Sequence, residues 1–361
     1  MLIFQICADV GIAPGGTKGA AIHLQQIAAA LQSRGHRVVT IARREAVFIN
    51  PHPVPVRSLD QGLENAVVEF GLPDLVYERY ALGHLGGLDF ARRRGVPFML
   101  EVNAPLTIEA VAHRNAAVGP EEQAVERRLF AESDAVMAVS TPLAGYIERF
   151  RGNKGISVVP NGVDPSAFPS PASHVESETV AFLGHPKPWH GVHRLADLAA
   201  TLDGGTTTSR VLVIGGGSGG DELLRQAQAR NVLDRVIVTG PVPRGLVAFL
   251  LVHSAVGIAP YPSTNFFYFS PLKVVEYMMA GLPVVSTAVG DIAATVGDGG
   301  LIVDPADDRG LEQAVALLLG DPDLRRQIGA NGRRRAMAEF TWDRAVDRIE
   351  EAALALAGQR S

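Results

Sequence analysis

A lysine and a glutamate stand three residues apart within a largely apolar stretch, YFSPLKVVEYMMAGLPVV. They are Lys273 and Glu276. Ser270 and Pro271 before them predict a helix over residues 271–280, because serine is a good N-cap and proline a good first helical residue. Lys273 then lies in the first turn, where a cation is unfavourable unless an anion binds at the helix N-terminus. Two interpretations follow: an exposed i,i+3 ion pair worth about 0.2–0.5 kcal/mol, or two side chains that bind different parts of one ligand.

A second polar group lies in GHPKPWHG, directly after a short apolar run at residues 179–183. Prolines restrict the backbone, so we expect Lys187, His185 and His190 to be held in place. A lysine and two histidines ahead of a helix suit a phosphate group. The two histidines alone would be a poor metal site, since no cysteine or carboxylate accompanies them, and we expect no metal.

The segment GGGSGG follows an apolar run at residues 211–214 and matches the dinucleotide-binding pattern G-x-G-x-x-G. The next predicted strand, at residues 236–238, does not end in the acidic residue that such a site needs for the ribose. The glycines, Gly216 among them, therefore either let the backbone approach a phosphate or sugar or form a turn. An NAD-dependent oxidoreductase is a less favoured alternative.

Two further candidates lie in the first half of the chain. Gly19 begins a predicted helix after a Pro/Gly loop and would permit close backbone contact with an anion, although an ordinary flexible loop is the alternative. His113, in LTIEAVAHRNAAV, is a lone histidine, for which a structural role is favoured on the residues alone.

Short β-branched runs alternate with helix-length segments along the whole chain and predict the elements that position these residues. The predicted strands cover residues 2–7, 37–42, 75–78, 97–102, 135–139, 156–159, 179–183, 211–214, 236–238, 256–259, 284–286 and 301–303. Near-continuous apolar strands separated by helices are typical of parallel sheets covered on both faces. We therefore predict an α/β protein with two doubly wound, Rossmann-like domains facing each other across a ligand-binding cleft.

The domain boundary is predicted at DPSAFPSPASHVESE, which is rich in Pro, Ser and Ala and has no periodicity. The first domain covers residues 1–165, the linker 166–178 and the second domain 179–340. A last helix, at residues 341–357, has no strand after it.

Composition excludes several classes of protein. Over 361 residues, 47% hydrophobic and 20% charged residues are typical of a soluble globular protein. A net charge of −5 argues against a dedicated nucleic-acid binder, and the single Cys7 excludes an internal disulfide. The longest apolar runs are too short to span a membrane, and the N-terminus lacks the pattern of a signal peptide. We expect a cytoplasmic location.

Taken together, these motifs resemble glycosyltransferase family 4, retaining enzymes of the GT-B fold. The resemblance extends over nearly the whole chain, and its pieces are KGAAIH, VVPNGVD, VIGGGSG, DRVIVTGPVP, APYPS and, most specific, SPLKVVEYMMAGLPVV. It implies transfer of a sugar from a nucleoside-diphosphate sugar to an acceptor hydroxyl, with retention and without a metal. It also implies that the last helix crosses back to the first domain. A non-catalytic relative that binds sugar nucleotides is the alternative from another class.

The resemblance implies roles for single residues on the donor side. Glu276 matches the second glutamate of the family's paired motif and is expected to bind the ribose hydroxyls. Tyr268 stands where the first glutamate belongs, which leaves Phe269, Ser270 and the backbone nearby to bind the donor sugar. The other expected donor-binding residues are Pro271, Leu272, Gly216 and Val242, the last of them near the base.

The resemblance also implies which residues meet the diphosphate. His185 and His190 stand where the family has an arginine and a lysine. Lys187, with support from Lys273, is expected to supply the missing charge, and Gly19 to meet the phosphate from the first domain.

His113 matches a family histidine near the reacting carbon, and with Lys187 and Glu276 it completes the predicted catalytic residues. Lys18 and Asn103 are expected on the acceptor side. The acceptor class stays open among small natural products, glycans and glycolipids, and peripheral membrane contact stays open as well.

The segment Asp321-Pro322-Asp323 has the D-x-D form that some glycosyltransferases use to hold a divalent ion. Here it favours a capped helix start, because an N-cap aspartate, a proline and an acidic first turn stand in order. The only expected co-substrate is the nucleotide sugar, and no cofactor is expected.

Overall fold

The computed structural model describes residues 1–16, 19–43, 58–114, 117–169, 178–202 and 209–358, and the side chains of residues 113, 114 and 188 are not described. The chain divides into two compact units. The first contains Met1–Asn161, Tyr268–Ser270 and Trp342–Ser361, and the second contains Gly162–Phe267 and Pro271–Thr341.

The first unit is built on a parallel sheet of six strands in the order β2-β1-β3-β4-β5-β6. The strands are β1 Leu2–Cys7, β2 Arg37–Ala42, β3 Leu75–Arg79, β4 Phe98–Val102, β5 Ala135–Ala138 and β6 Ile156–Val158. The strand order reverses between β1 and β3, and the carboxyl ends of the strands at such a point are where ligands bind in open α/β sheets.

Seven helices cover this sheet in the part of the chain that the structure describes. They are α1 Gly19–Ser33, α2 Leu59–Phe70, α3 Gly86–Arg94, α4 Leu106–Arg114, α5 Pro120–Glu132, α6 Thr141–Arg151 and α14 Trp342–Gly358. The last helix packs beside α1, and its buried residues Trp342, Val346 and Ile349 share one hydrophobic cluster with Ile27 and Leu31 of α1. The C-terminal helix thus completes the core of the first unit.

The second unit has a parallel sheet in the order β12-β11-β10-β7-β8-β9. Its strands are β7 Thr179–Leu183, β8 Arg210–Ile214, β9 Val236–Val238, β10 Val256–Ala259, β11 Val284–Thr287 and β12 Gly300–Val303. Counted from β7, this is the order of a dinucleotide-binding fold, and it reverses between β7 and β10.

The helices described in the second unit follow the same alternation with its strands. They are α7 His193–Thr201, α8 Ser218–Ala229, α9 Arg244–Val252, α10 Leu272–Met279, α11 Ile292–Val296, α12 Asp308–Gly320 and α13 Pro322–Glu339. Helix α13 begins as predicted, because the Asp321 side chain accepts a hydrogen bond from the Leu324 N–H at 2.9 Å. The D-x-D segment is therefore a helix cap, as the sequence favoured.

The two six-stranded parallel sheets confirm the predicted fold class, and each of the twelve predicted strands is present with ends shifted by at most one residue. The predicted linker begins with a short 3₁₀ helix, Pro165–Ala167, capped by Asp164. Residues 170–177 of that linker lie outside the described residues. Among the helices that the structure describes, none is both long and apolar enough to cross a membrane.

Candidate functional site

The candidate site lies at the carboxyl ends of β7 and β10, the adjacent strands at which the order of the second sheet reverses. Residues 184–191 follow β7, and residues 260–271 lead from β10 to helix α10. The fold therefore places GHPKPWHG and the charged residues of α10 on one edge of one sheet, where open α/β sheets bind ligands.

Helix α10 begins one residue later than predicted. Pro271 occupies the N-cap position with an extended ψ of 104°, and the helix spans Leu272–Met279. Ser270 is not the cap, since its Oγ accepts a hydrogen bond from the backbone N–H of Asn161 at 3.1 Å. The capping rule assumes that the serine hydroxyl is free to accept a hydrogen bond from the first turn of the helix. Here a residue distant in sequence donates to that hydroxyl instead.

The amine of Lys273 is buried and lacks a hydrogen-bond partner among the described residues. Its Nζ lies 4.0 Å from the ring centre of Phe182 and 5.6 Å from that of Tyr261, so two aromatic faces are its nearest attractive neighbours. Burial lowers the pKa of Lys273 to about 7, and Glu276 opposes that shift. Burying a cation away from water without a partner costs free energy. A buried, unpaired amine is therefore expected where a protein binds an anion.

The alternative of an exposed Lys273–Glu276 pair is wrong. Glu276 is only 17% exposed, and its ion-pair contact is with Arg244, at a long 3.9 Å. Burial raises the pKa of Glu276, while Arg244 and Lys273 lower it. The structure therefore holds a half-buried carboxylate one turn behind a buried ammonium group on the same helix.

His190 does not supply the positive charge that the sequence suggested. Burial and then the charge of Lys273 lower its pKa to about 3, so the ring is neutral at physiological pH. Its Nδ1 lies 3.1 Å from the His185 carbonyl oxygen and must donate there, because a carbonyl only accepts. The Nε2 of a neutral His190 is then an acceptor and repels a phosphate oxygen.

The glycines of GGGSGG have a packing role that requires residues without a Cβ at these positions. A Cβ on Gly215 would lie 2.4 Å from the Gly184 carbonyl oxygen, and one on Gly219 would lie 2.3 Å from that of Pro186. His185 reinforces the contact, since its Nδ1 donates to the Gly216 carbonyl oxygen at 2.8 Å. The two loops thus lie backbone against backbone beside the site.

Other residues expected on the donor side differ in how deeply they are buried. Lys187 is exposed, and Val242 is half-buried in the loop before α9. Thr239 stands where a ribose-binding acid would follow β9, and its hydroxyl accepts from Gly215 N–H at 3.1 Å. Tyr268 is 4% exposed, and its hydroxyl donates to Glu109 of α4 at 3.3 Å, within the first unit.

The predicted residues of the first unit lie at several places. Gly19 is the first residue of α1, with open space where a Cβ would stand. His113 belongs to α4, and its side chain is not described. Lys18 lies outside the described residues. Asn103 follows β4, and its amide donates to the Glu101 carboxylate.

Sequence reasoning missed a buried cluster around Glu101 on β4. Its carboxylate accepts hydrogen bonds from Tyr77 and from Arg79, the latter at 2.8 Å, and lies 2.9 Å from Nε2 of His23. Burial alone would raise the pKa of Glu101, but His23, Arg79 and Tyr77 hold it well below its usual range. A glutamate within the apolar strand FMLEV was the signal that could have found this cluster.

Two family models match the chain in sequence order. The model described as Glycosyltransferase Family 4 matches residues 17–167, and the one described as Glycosyl transferases group 1 matches residues 164–335. Together they cover residues 17–335 of the chain. The chain belongs to glycosyltransferase family 4.

Curated relatives and solved structures agree with this membership. The family 4 chain is 27% identical to a D-inositol 3-phosphate glycosyltransferase of Acidothermus cellulolyticus, over 95% of the chain and 85% of that relative. It is 26% identical to a glycogen synthase of Mycobacterium tuberculosis, over 75% of the chain and 66% of that relative. In fold it is similar to a sucrose-phosphate synthase of Thermosynechococcus elongatus, with a TM-score of 0.76, 22% identity and 99% of each chain covered.

A second similar structure was determined with a nucleotide. HepE of Anabaena in complex with UDP gives a TM-score of 0.73 at 17% identity, over 98% of this chain and 99% of that one. These likenesses show that this glycosyltransferase has the GT-B fold.

Proposed function

We propose that this glycosyltransferase moves a sugar from a uridine diphosphate sugar to an acceptor hydroxyl, with retention of the anomeric configuration and without a metal ion. The observation that carries the proposal is the pair of ionisable side chains on α10, a buried Lys273 amine without a hydrogen-bond partner among the described residues and a half-buried Glu276 carboxylate whose ion-pair contact with Arg244 is long, at 3.9 Å. The choice of uridine is supported by a structural neighbour that binds UDP and UDP-glucose.

The two charges suit different parts of one nucleotide. The ammonium group of Lys273 lies in the first turn of α10, where the helix N-terminus also attracts negative charge, so a diphosphate would gain from both. Glu276 lies on the next turn, and a carboxylate offers two acceptor oxygens to the two adjacent ribose hydroxyls. Lys273 would then receive the partner that the described residues do not give it, and Glu276 would accept hydrogen bonds at shorter range than its 3.9 Å contact with Arg244.

Charge neutralisation of this kind supports the proposed reaction. The bond between the anomeric carbon and the diphosphate oxygen breaks as negative charge develops on the diphosphate, and Lys273 with the α10 N-terminus stabilises that charge. The acceptor oxygen bonds to the anomeric carbon on the face that the diphosphate leaves. The acceptor proton passes to the departing phosphate oxygen, which balances the exchange without a protein nucleophile.

The roles of the remaining predicted residues stay part of the proposal. His113 would lie near the reacting carbon, Lys187 would add charge near the diphosphate, and Gly19 would meet the phosphate. The backbone beside Phe269 would contact the donor sugar, and the acceptor would bind to the first unit.

A two-stage experiment tests the proposal. Thermal shift with UDP, ADP and GDP first asks whether a nucleoside diphosphate binds and which base is preferred, and we expect UDP to give the largest shift because ligand binding stabilises the folded state. UDP-glucose is then incubated with candidate alcohols, beginning with D-inositol 3-phosphate, the substrate named for the relatives.

The second stage separates the enzyme from a binding protein. Acceptor-dependent release of UDP, with the product anomer assigned by proton NMR as that of the donor, is the expected result. Inversion at the anomeric carbon would contradict the retaining mechanism. Tight UDP binding with no turnover for any donor or acceptor would favour the non-catalytic relative.

A further inference from the structure

The residues that immediately precede α10 are fixed at both ends by hydrogen bonds. The segment Tyr268–Ser270 belongs to the first unit. At its start, the Ser140 hydroxyl donates to the Tyr268 carbonyl oxygen at 2.7 Å. At its end, Asn161 donates twice to Ser270, from its backbone N–H to Oγ at 3.1 Å and from Nδ2 to the carbonyl oxygen at 3.0 Å.

The Asn161 side chain also makes a hydrogen bond with His23. Because Nδ2 donates to Ser270, the other amide atom, Oδ1, faces Nδ1 of His23 at 2.9 Å. An amide oxygen only accepts, so Nδ1 of His23 carries a proton. The amide orientation is therefore fixed by its two neighbours together.

The other nitrogen of His23 meets Glu101. Nε2 lies 2.9 Å from Oε2 of the carboxylate, within ion-pair distance. The same carboxylate accepts hydrogen bonds from Tyr77 and Arg79. The His23 ring is 7% exposed and packs edge-on against Trp342 at 5.0 Å.

We propose that Glu101, His23 and Asn161 form a positioning chain that sets the Tyr268–Ser270 segment, and through it the sugar end of the donor site. This inference rests on the proposed function, because it assigns the donor sugar to Phe269 and Ser270. Tyr268 stands in place of the glutamate that would bind the sugar, and its side chain is engaged with Glu109. Sugar recognition must then come from the backbone of this segment, whose geometry the chain fixes.

The arrangement explains two features of the sequence together. Glu101 is 3% exposed and buried with four polar partners, which is costly unless the orientation of those partners matters. Asn161 uses its N–H, Nδ2 and Oδ1 within one network, so no other residue type reproduces the pattern. Both residues act through Ser270 and are positioning residues.

The first measurement is hydrogen exchange of the full-length, ligand-free protein, followed in a peptide that covers residues 262–271. Asn161→Ala removes two side-chain hydrogen bonds and should raise exchange in this peptide by about tenfold. Ser270→Ala should raise it as well, whereas Ser270→Thr keeps the Oγ and should exchange as the wild type does. Thr40→Val is the matched control, since it breaks another buried hydrogen bond of the first unit, to Gln5.

The second measurement compares UDP with UDP-glucose by calorimetry. Asn161→Ala should leave the Kd for UDP within about twofold and lower the extra affinity that the sugar provides, along with kcat, by about tenfold or more. Wild-type exchange in Asn161→Ala, or equal losses for UDP and UDP-glucose, would overturn the proposal. A wild type that binds neither ligand would refute the proposed donor instead, and the exchange experiment would still decide whether the chain positions the segment.

Discussion

Binding of UDP should take up a proton on Lys273 if its ammonium group receives the diphosphate. In the free protein, burial lowers the pKa of Lys273 to about 7, against an ordinary value of 10.5. An adjacent diphosphate favours the charged amine and should return its pKa to at least about 10. At a pH between these two pKa values, Lys273 is largely neutral in the free protein and largely charged in the complex.

The size of the effect follows from the two pKa values. At pH 8.0 about a tenth of free Lys273 is protonated, so binding should take up about 0.9 proton. The Kd for UDP should rise with pH, by about fifteenfold from pH 7.0 to 8.5, because only the charged amine binds well. His190 does not contribute, since its pKa lies near 3.

The assay is isothermal titration calorimetry at pH 8.0 in buffers of different ionisation enthalpy, where the slope of the apparent enthalpy gives the proton uptake. Lys273→Met should bind weakly and without uptake. Lys273→Arg stays charged throughout and should bind without uptake as well. Both variants retain every titrating group of the nucleotide, so proton uptake that persists in them would refute the assignment of Lys273.

Three further predictions concern other aspects of the account. Lys187→Ala should weaken UDP more than uridine, because charge-assisted phosphate contacts are the stronger kind, and equal losses in calorimetry would remove Lys187 from the phosphate site. His113→Ala should lower kcat by about a hundredfold with the Kd for UDP nearly unchanged, and full activity of a folded variant would end its assignment. Lys273→Met should raise the melting temperature at pH 6.5 more than at pH 10, because a lowered pKa destabilises the fold fully below about pH 7 and progressively less as pH rises towards 10.5. An equal gain at both pH values would contradict the lowered pKa.

The sheets were predictable because their strands are apolar, β-branched and separated by helix-length segments. Each such run buries both faces, and this pattern identifies a strand of a parallel sheet with little help from tertiary structure. The start of α10 was not predictable in the same way. Ser270 obeys the capping rule in sequence, but Asn161, 109 residues away, takes its hydroxyl.

The sequence identified residues of the candidate site but did not predict their burial or their neighbours. Lys273 and Glu276 stood out as charges in an apolar helix, and the structure does place them together. The burial of Lys273 arises from the rings of Phe182 and Tyr261, which come from two different strand ends and meet only in the fold. Burial of His190 itself, and then the charge of Lys273, lower the pKa of His190, and neither could be read from the spacing of the residues.

One binding experiment tests most directly whether Lys273 and Glu276 bind two parts of one nucleotide. UDP, 2′-deoxy-UDP and uridine are titrated into the wild type, Glu276→Ala and Lys273→Met. The wild type should prefer UDP to its deoxy analogue by about tenfold or more, because a hydrogen bond to a charged acceptor contributes about 1.5–3 kcal/mol. Glu276→Ala should lose this preference, while Lys273→Met should keep it and lose the advantage of UDP over uridine. Equal binding of UDP and 2′-deoxy-UDP by the wild type would contradict the account.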